Sequence, residues 1–178
     1  MKTTKNLISL ALLLGVTLLP KLSNAQKLIQ KTTTITVSGT SPMHDWEMTG
    51  STGTFTGIAA GNAITNITFT VPVKNLKAEK GKTMEKKAYE ALKADKAPNV
   101  TFTASSINLG KSSAIGKLSI AGATKNVSFP ISIIKKGNAY IIDGTETIKL
   151  SEFGMERPGF MGIKTGDVVT VKVNVVAE

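Results

Sequence analysis

The chain has 178 residues, a formal charge of +10, one tryptophan, one histidine and no cysteine. That length suits one domain with a real core, and a composition of 41% apolar and 19% charged residues is globular rather than disordered. The lack of cysteine excludes disulfides, thiolate metal sites, cysteine catalysis and lipoprotein acylation. A single histidine makes His-rich zinc sites and His-paired catalysis hard to assemble.

In chain order, Lys2 and Lys5 precede an apolar run from Leu7 to Leu19, which Pro20 ends, and Ser23-Asn24-Ala25 offers small residues at the −3 and −1 positions of a cleavage site. This layout predicts a signal peptide over residues 1–25 and a mature domain over 26–178. The alternative, a retained membrane anchor, needs about 20 apolar residues to span a bilayer, and the run is shorter. Removing Lys2, Lys5 and Lys21 leaves 19 basic residues against 12 acidic ones. The excess is almost all lysine, with Arg157 the only arginine and no interleaved aromatic platform. That composition argues against nucleic-acid binding and for a solvated basic surface able to meet anionic lipid transiently.

The mature part is rich in β-branched residues, with 20 Thr, 15 Ile and 11 Val, the types that fit a pleated surface. Eight strands are predicted, near Lys27–Ser38, Asp45–Thr56, Ile64–Lys74, Asn99–Leu109, Ala114–Ile120, Lys125–Lys135, Ala139–Leu150 and Asp167–Val176. Strict alternation supports them: Val127, Phe129, Ile131 and Ile133 on one face of the sixth, and Val169, Val171, Val173 and Val175 on one face of the eighth. Asp143-Gly144 is read as a bulge within the seventh strand rather than a hairpin turn. Between the third and fourth strands, Thr83 to Leu92 places Met84, Ala88, Ala91 and Leu92 on one helical face, with Thr83 as N-cap, Glu85 in the first turn and Pro98 beyond the end. Eight antiparallel strands in about 150 residues form a barrel or a two-sheet sandwich. The immunoglobulin pattern fails for want of its Cys-Trp-Cys core. The expectation is an all-β, eight-stranded antiparallel, lipocalin-like barrel with its mouth covered by the helix, and such an interior can hold one small ligand.

Four stretches carry a family resemblance. They are Ser38-Gly39-Thr40-Ser41-Pro42-Met43-His44-Asp45-Trp46, the helix from Met84 to Lys93 with Pro98 and Phe102, Gly116-Lys117-Leu118 through Gly122-Ala123-Thr124-Lys125, and Ser151-Glu152-Phe153-Gly154. Together, in this order, they resemble the YceI-like family of secreted polyisoprenoid- or lipid-binding proteins, in the variant common among Bacteroidetes. The resemblance implies an extended lipocalin-like barrel that holds a long isoprenoid or fatty chain in an apolar tunnel. It departs from better-known members just before the helix, where the chain reads Glu79-Lys80-Gly81-Lys82.

No nucleophile–base motif, metal-ligand cluster or cofactor signature appears, so a non-enzymatic binding protein is expected, with no catalytic or metal residues and no cofactor. His44 is read as a turn residue whose ring bonds the backbone, because no orienting carboxylate shares its strand face. The eight lysines between Lys74 and Lys96 are read as a solvated helix face, with a basic rim at the tunnel mouth as the alternative. The loop from Phe153 to Gly162 is too apolar for a free surface loop and must act as a plug or a lid. Trp46, Met48, Phe69, Val71, Phe102, Phe129, Ile131, Phe153 and Phe160 are expected to face one continuous apolar interior. Sparse aromatics among Val, Ile and Thr leave a narrow, smooth space that suits a flexible acyl or prenyl chain better than a flat haem or flavin. The rival reading is a solid barrel that binds another envelope protein. Export places the protein in the periplasm or the medium; oligomeric state is open, a dimer included.

Overall fold

A computed structural model describes residues 25–79 and 81–178, with Phe160 described by its backbone alone. The expected signal peptide lies outside the described residues except for Ala25. The elements are β1 (Gln26–Gly39), β2 (Trp46–Gly50), β3 (Thr54–Ala60), β4 (Ala63–Pro72), β5 (Lys77–Ala78), α1 (Lys82–Ala91), β6 (Asn99–Asn108), β7 (Gly110–Ile120), β8 (Ala123–Lys136), β9 (Ala139–Lys149), β10 (Gly159–Phe160), β11 (Ile163–Lys164) and β12 (Val168–Ala177).

Eight of these strands close a ring in the order β1-β12-β9-β8-β7-β6-β4-β3 and back to β1, every neighbour antiparallel. The long first strand makes closure possible. Its residues 26–29 pair with β3 and its residues 30–39 with β12, so one strand serves both seams. The register slips between Gln30 and Thr32, and the bend there turns β1 from one seam to the other. Small, regular turns join the central strands. Ala121 and Gly122, at φ +52° and +85°, form a two-residue turn between β7 and β8 that matches the twist of the strands it joins.

The expected barrel and its helix are present. The second expected strand is instead two, β2 and β3, because the chain leaves the sheet at residues 51–53. Glycines on either side permit this. A side chain at Gly53 would press on the Phe69 ring at 3.1 Å, and one at Gly50 would meet Leu76 at 3.0 Å. Gln30 Oε1 accepts the Phe55 N–H where β3 begins, replacing a ladder bond. The third strand stops at Pro72, followed by a 3₁₀ turn over Val73–Asn75 and the short β5 on β2. The expected bulge at Asp143-Gly144 is absent. Both residues sit in unbroken register with β8 and β12. A Cβ at Gly144 would meet the Phe129 ring at 3.4 Å, an ordinary van der Waals contact, so the strand runs through this position without needing a glycine.

The helix begins two residues earlier than expected. Gly81, at φ +101°, is the N-cap and makes no side-chain capping bond, so Thr83 lies inside the first turn. Side-chain contacts fix α1 and the turn that follows it to the segment before the helix. Tyr89 donates its hydroxyl proton to the Leu76 carbonyl at 2.6 Å, Glu85 accepts the Ala78 N–H at 3.2 Å, and Lys74 pairs with Asp95 at 2.8 Å. The last pair is exposed and contributes little. The helix is thereby held across one end of the barrel with Met84, Ala88 and Leu92 against the interior.

Candidate ligand-binding cavity

Antiparallel register stacks the inward residues of β9 and β12 in levels, each two residues or about 7 Å along the strand from the next. From the closed end upward these are Tyr140 with Ala177, Ile142 with Val175, Gly144 with Val173, Glu146 with Val171, and Ile148 with Val169. At the bottom, Leu28, Ala59, Tyr140 and Ala177 pack with Ile64, Ile107 and Ile133 into a dense floor. Above the floor the inward side chains do not fill the interior. A cavity of about 600 Å³ runs from Ile133, Ile142 and Val175 up to the helix, within the range of about 300–1,000 Å³ typical of ligand sites.

The structure brings together seven of the nine residues expected to share one interior. Trp46, Met48, Phe69, Val71, Phe102, Phe129 and Ile131 all line the cavity. Phe102 on β6 and Phe129 on β8 form a tilted ring pair across β7, their centres 5.3 Å apart and their planes at 58°. Gly116 on β7 makes room for this pair. A side chain there would collide with the Thr103 carbonyl and stand 2.7 Å from the Phe102 ring. Trp46 lies flat on Gly39 and donates its indole N–H to the Thr40 carbonyl at 3.2 Å, which fixes the ring beside the mouth.

Phe153 is placed elsewhere. β8 and β9 pair only as far as Ile131 and Gly144, so the two strands part towards the mouth. The 3₁₀ turn over Leu150–Phe153 fills that opening, and Phe153 is 2% exposed among Ile120, Ala121, Ile148, Leu150, Met155 and Val169. It closes the wall as a plug and is not among the residues facing the cavity. Asp167 anchors the plug, accepting the Ser151 N–H at 2.9 Å and the Ser151 hydroxyl at 2.6 Å. These bonds hold the Asp167 carboxyl below the usual carboxylate range. Phe160 belongs to the β10–β11 hairpin, and its side chain is outside the described residues.

The mouth is framed by α1, the loop before β2 and the β10–β11 hairpin. Thr83, Met84, Lys87, Ala88, Ala91 and Leu92 contribute from the helix, and Pro158, Gly159, Ile163 and Thr165 from the hairpin and its flanks. Lys87 straps the two together by donating to the Gly159 carbonyl. His44 sits exposed at the rim, where its Nδ1–H donates to the Asp45 carbonyl at 3.0 Å and Ser41 holds the turn with a 2.7 Å bond to the His44 carbonyl. This is the backbone-bonded turn expected from the sequence. Among the described residues, no three His, Asp or Glu side chains are grouped to share a metal ion, and no helix is long and apolar enough to cross a membrane.

Sequence reading missed much of the wall, including Ile35, Val37, Leu118, Val171 and Val173. Their alternation within β1, β7 and β12 was the available signal. It also missed Glu146, which occupies the same inward series as Ile142, Gly144 and Ile148.

The family described as YceI-like domain matches residues 26–177 of this chain. No curated protein matches it. Among solved structures, Burkholderia cenocepacia BcnA is similar with a TM-score of 0.68 at 19% identity, over 82% of this chain and 96% of that one. A polyisoprenoid binding domain from Saccharophagus degradans implicated in plant cell wall breakdown gives 0.69 at 8% identity, over 86% and 98%. The Campylobacter jejuni YCEI protein gives 0.53 at 22% identity, over 65% and 73%. At these identities the likeness speaks for the fold.

Proposed function

The chain belongs to the YceI-like domain family, and from that premise we propose that it is an exported, non-enzymatic carrier that holds a long apolar lipid, of polyisoprenoid or fatty-acyl type, inside the barrel. The observation that carries this reading is the apolar cavity itself. A wall of Ile, Val, Leu, Met and Phe that leaves about 600 Å³ unfilled departs from the close packing of protein interiors. A chain entering it gains about 0.8 kcal/mol for every buried CH₂. The Saccharophagus domain's description as polyisoprenoid binding supports the same ligand class. The signal-like segment at residues 1–25 supports export, to the periplasm or beyond it. Met43, Met161 and Ile163 are exposed on the loop and hairpin that frame the mouth, and α1 and the hairpin carry Lys82, Lys86 and Lys164. This combination suits a transient contact with an anionic membrane from which the chain is loaded.

Trp46 offers a direct test. It is the chain's one tryptophan and lines the cavity, so its emission reports occupancy. Titrating the protein with a long-chain prenol should blue-shift and saturate that emission at one chain per barrel. Emission that stays constant, with no prenol retained on gel filtration, refutes the carrier reading and favours a barrel that serves as a protein-interaction module.

A further inference from the structure

Glu146 is the only carboxylate among the described residues that line the cavity, and the carrier reading gives it no task. Its position is fixed by the sheet. On β9 it falls between the inward residues Gly144 and Ile148, and its register partner is Val171 on β12. Val171 pairs with Val37 on β1, and Val37 with Met48 on β2. The belt beside the carboxyl is therefore valine, valine and methionine. The other charged or titratable members of the wall, Lys87 and His44, belong to the mouth. Among the described residues no lysine, arginine or histidine forms an ion pair with Glu146. Burial raises its carboxyl above the ordinary value, with the Thr147 backbone N–H opposing the shift.

A carboxyl in this setting discriminates between ligands. In the empty cavity water can solvate it. A bound chain displaces that water, and a bare hydrocarbon segment leaves the carboxyl with the Thr147 N–H alone and its remaining acceptor sites unmet, which is unfavourable. A ligand with an acidic group at this level would add repulsion. A ligand with a hydroxyl or amide N–H there satisfies the carboxyl at its own position. We infer that Glu146 is a recognition point within the tunnel, selecting a lipid that presents a neutral hydrogen-bond donor midway between mouth and floor. The inference rests on the carrier reading and extends it. It names a polar group that the ligand must bring below the mouth, and it excludes phosphates and carboxylates from that level.

The test compares two ligands that differ only in the donor, hexadecan-1-ol and its methyl ether. Each competes with a fluorescent fatty-chain probe for the purified protein, its Glu146→Leu variant and its Glu146→Gln variant. The parent should bind the alcohol at least about tenfold more tightly than the ether. Glu146→Leu should bring that ratio to about one while keeping or improving affinity for the ether. Glu146→Gln, which retains an acceptor oxygen, should preserve most of the preference. Equal affinities in the parent, or a preference that survives Glu146→Leu, overturn the inference and leave the carrier reading standing. If the parent binds neither ligand nor the probe, the carrier reading fails and the inference with it.

Discussion

Replacing Val71 by tryptophan separates a tunnel from a packed core. Val71 is 6% exposed on β4 and lines the cavity beside Phe69, Val100 and Met48. In a filled interior so large an insertion overpacks and costs about 1–3 kcal/mol. Here a ring pointing inward meets open volume, so the expected loss is below about 1 kcal/mol. For a domain of this size, that is a fall of no more than about 2–4 °C in Tm. Affinity should respond far more. A ring that takes the place of about four methylenes forfeits about 3 kcal/mol of burial, or a factor of about a hundred in Kd. Leu28→Trp is the matched control, because Leu28 is fully buried in the floor. There the same ring should cost about 3 kcal/mol and lower Tm by about 6–12 °C. Chemical denaturation and prenol titration of both variants provide the readout. Equal destabilisation by the two substitutions, or unchanged prenol affinity in Val71→Trp, would refute the reasoning.

Gly116→Ala should destabilise the fold by about 1–3 kcal/mol, since its Cβ meets the Thr103 carbonyl and the Phe102 ring, whereas Gly144→Ala should change stability by less than about 1 kcal/mol; thermal melts compare them. Asp167 supplies an acid-side dependence. Its folded pKa is lowered by Ser151, so its contribution is present above the ordinary Asp value and lost as pH falls through the folded one. Hydrogen exchange at residues 151–155 should therefore accelerate there, and Asp167→Asn should show the faster exchange already at neutral pH. His44→Ala should lower stability by no more than about 1 kcal/mol, the scale of one hydrogen bond, and leave prenol affinity per folded molecule unchanged. N-terminal sequencing of exported protein should begin at Gln26; a chain that still starts at Met1 would contradict cleavage.

What could be read from sequence follows the range of the physics involved. Alternation in β8 and β12 is local, and it identified those strands and the face of each that carries Phe129 and Ile131 or Val169 to Val175. The break between β2 and β3 was not legible, because it depends on Phe69 and Leu76 approaching Gly53 and Gly50 from other parts of the chain. Asp143-Gly144 has turn-forming residues, yet pairing with β8 on one side and β12 on the other holds both in regular strand register, which no local rule announces. Phe153 was recognised as a residue that must be buried. Its destination depends on β8 and β9 parting above Gly144, which only the assembled sheet reveals. Glu146 was within reach, since counting inward positions from Ile142 leads straight to it.

Native mass spectrometry of the protein purified from its own host tests the central claim most directly. The account predicts a mass above that of the chain by one lipid, which organic extraction releases as a long, largely apolar molecule. A population carrying the mass of the chain alone, with no lipid in the extract, would contradict it.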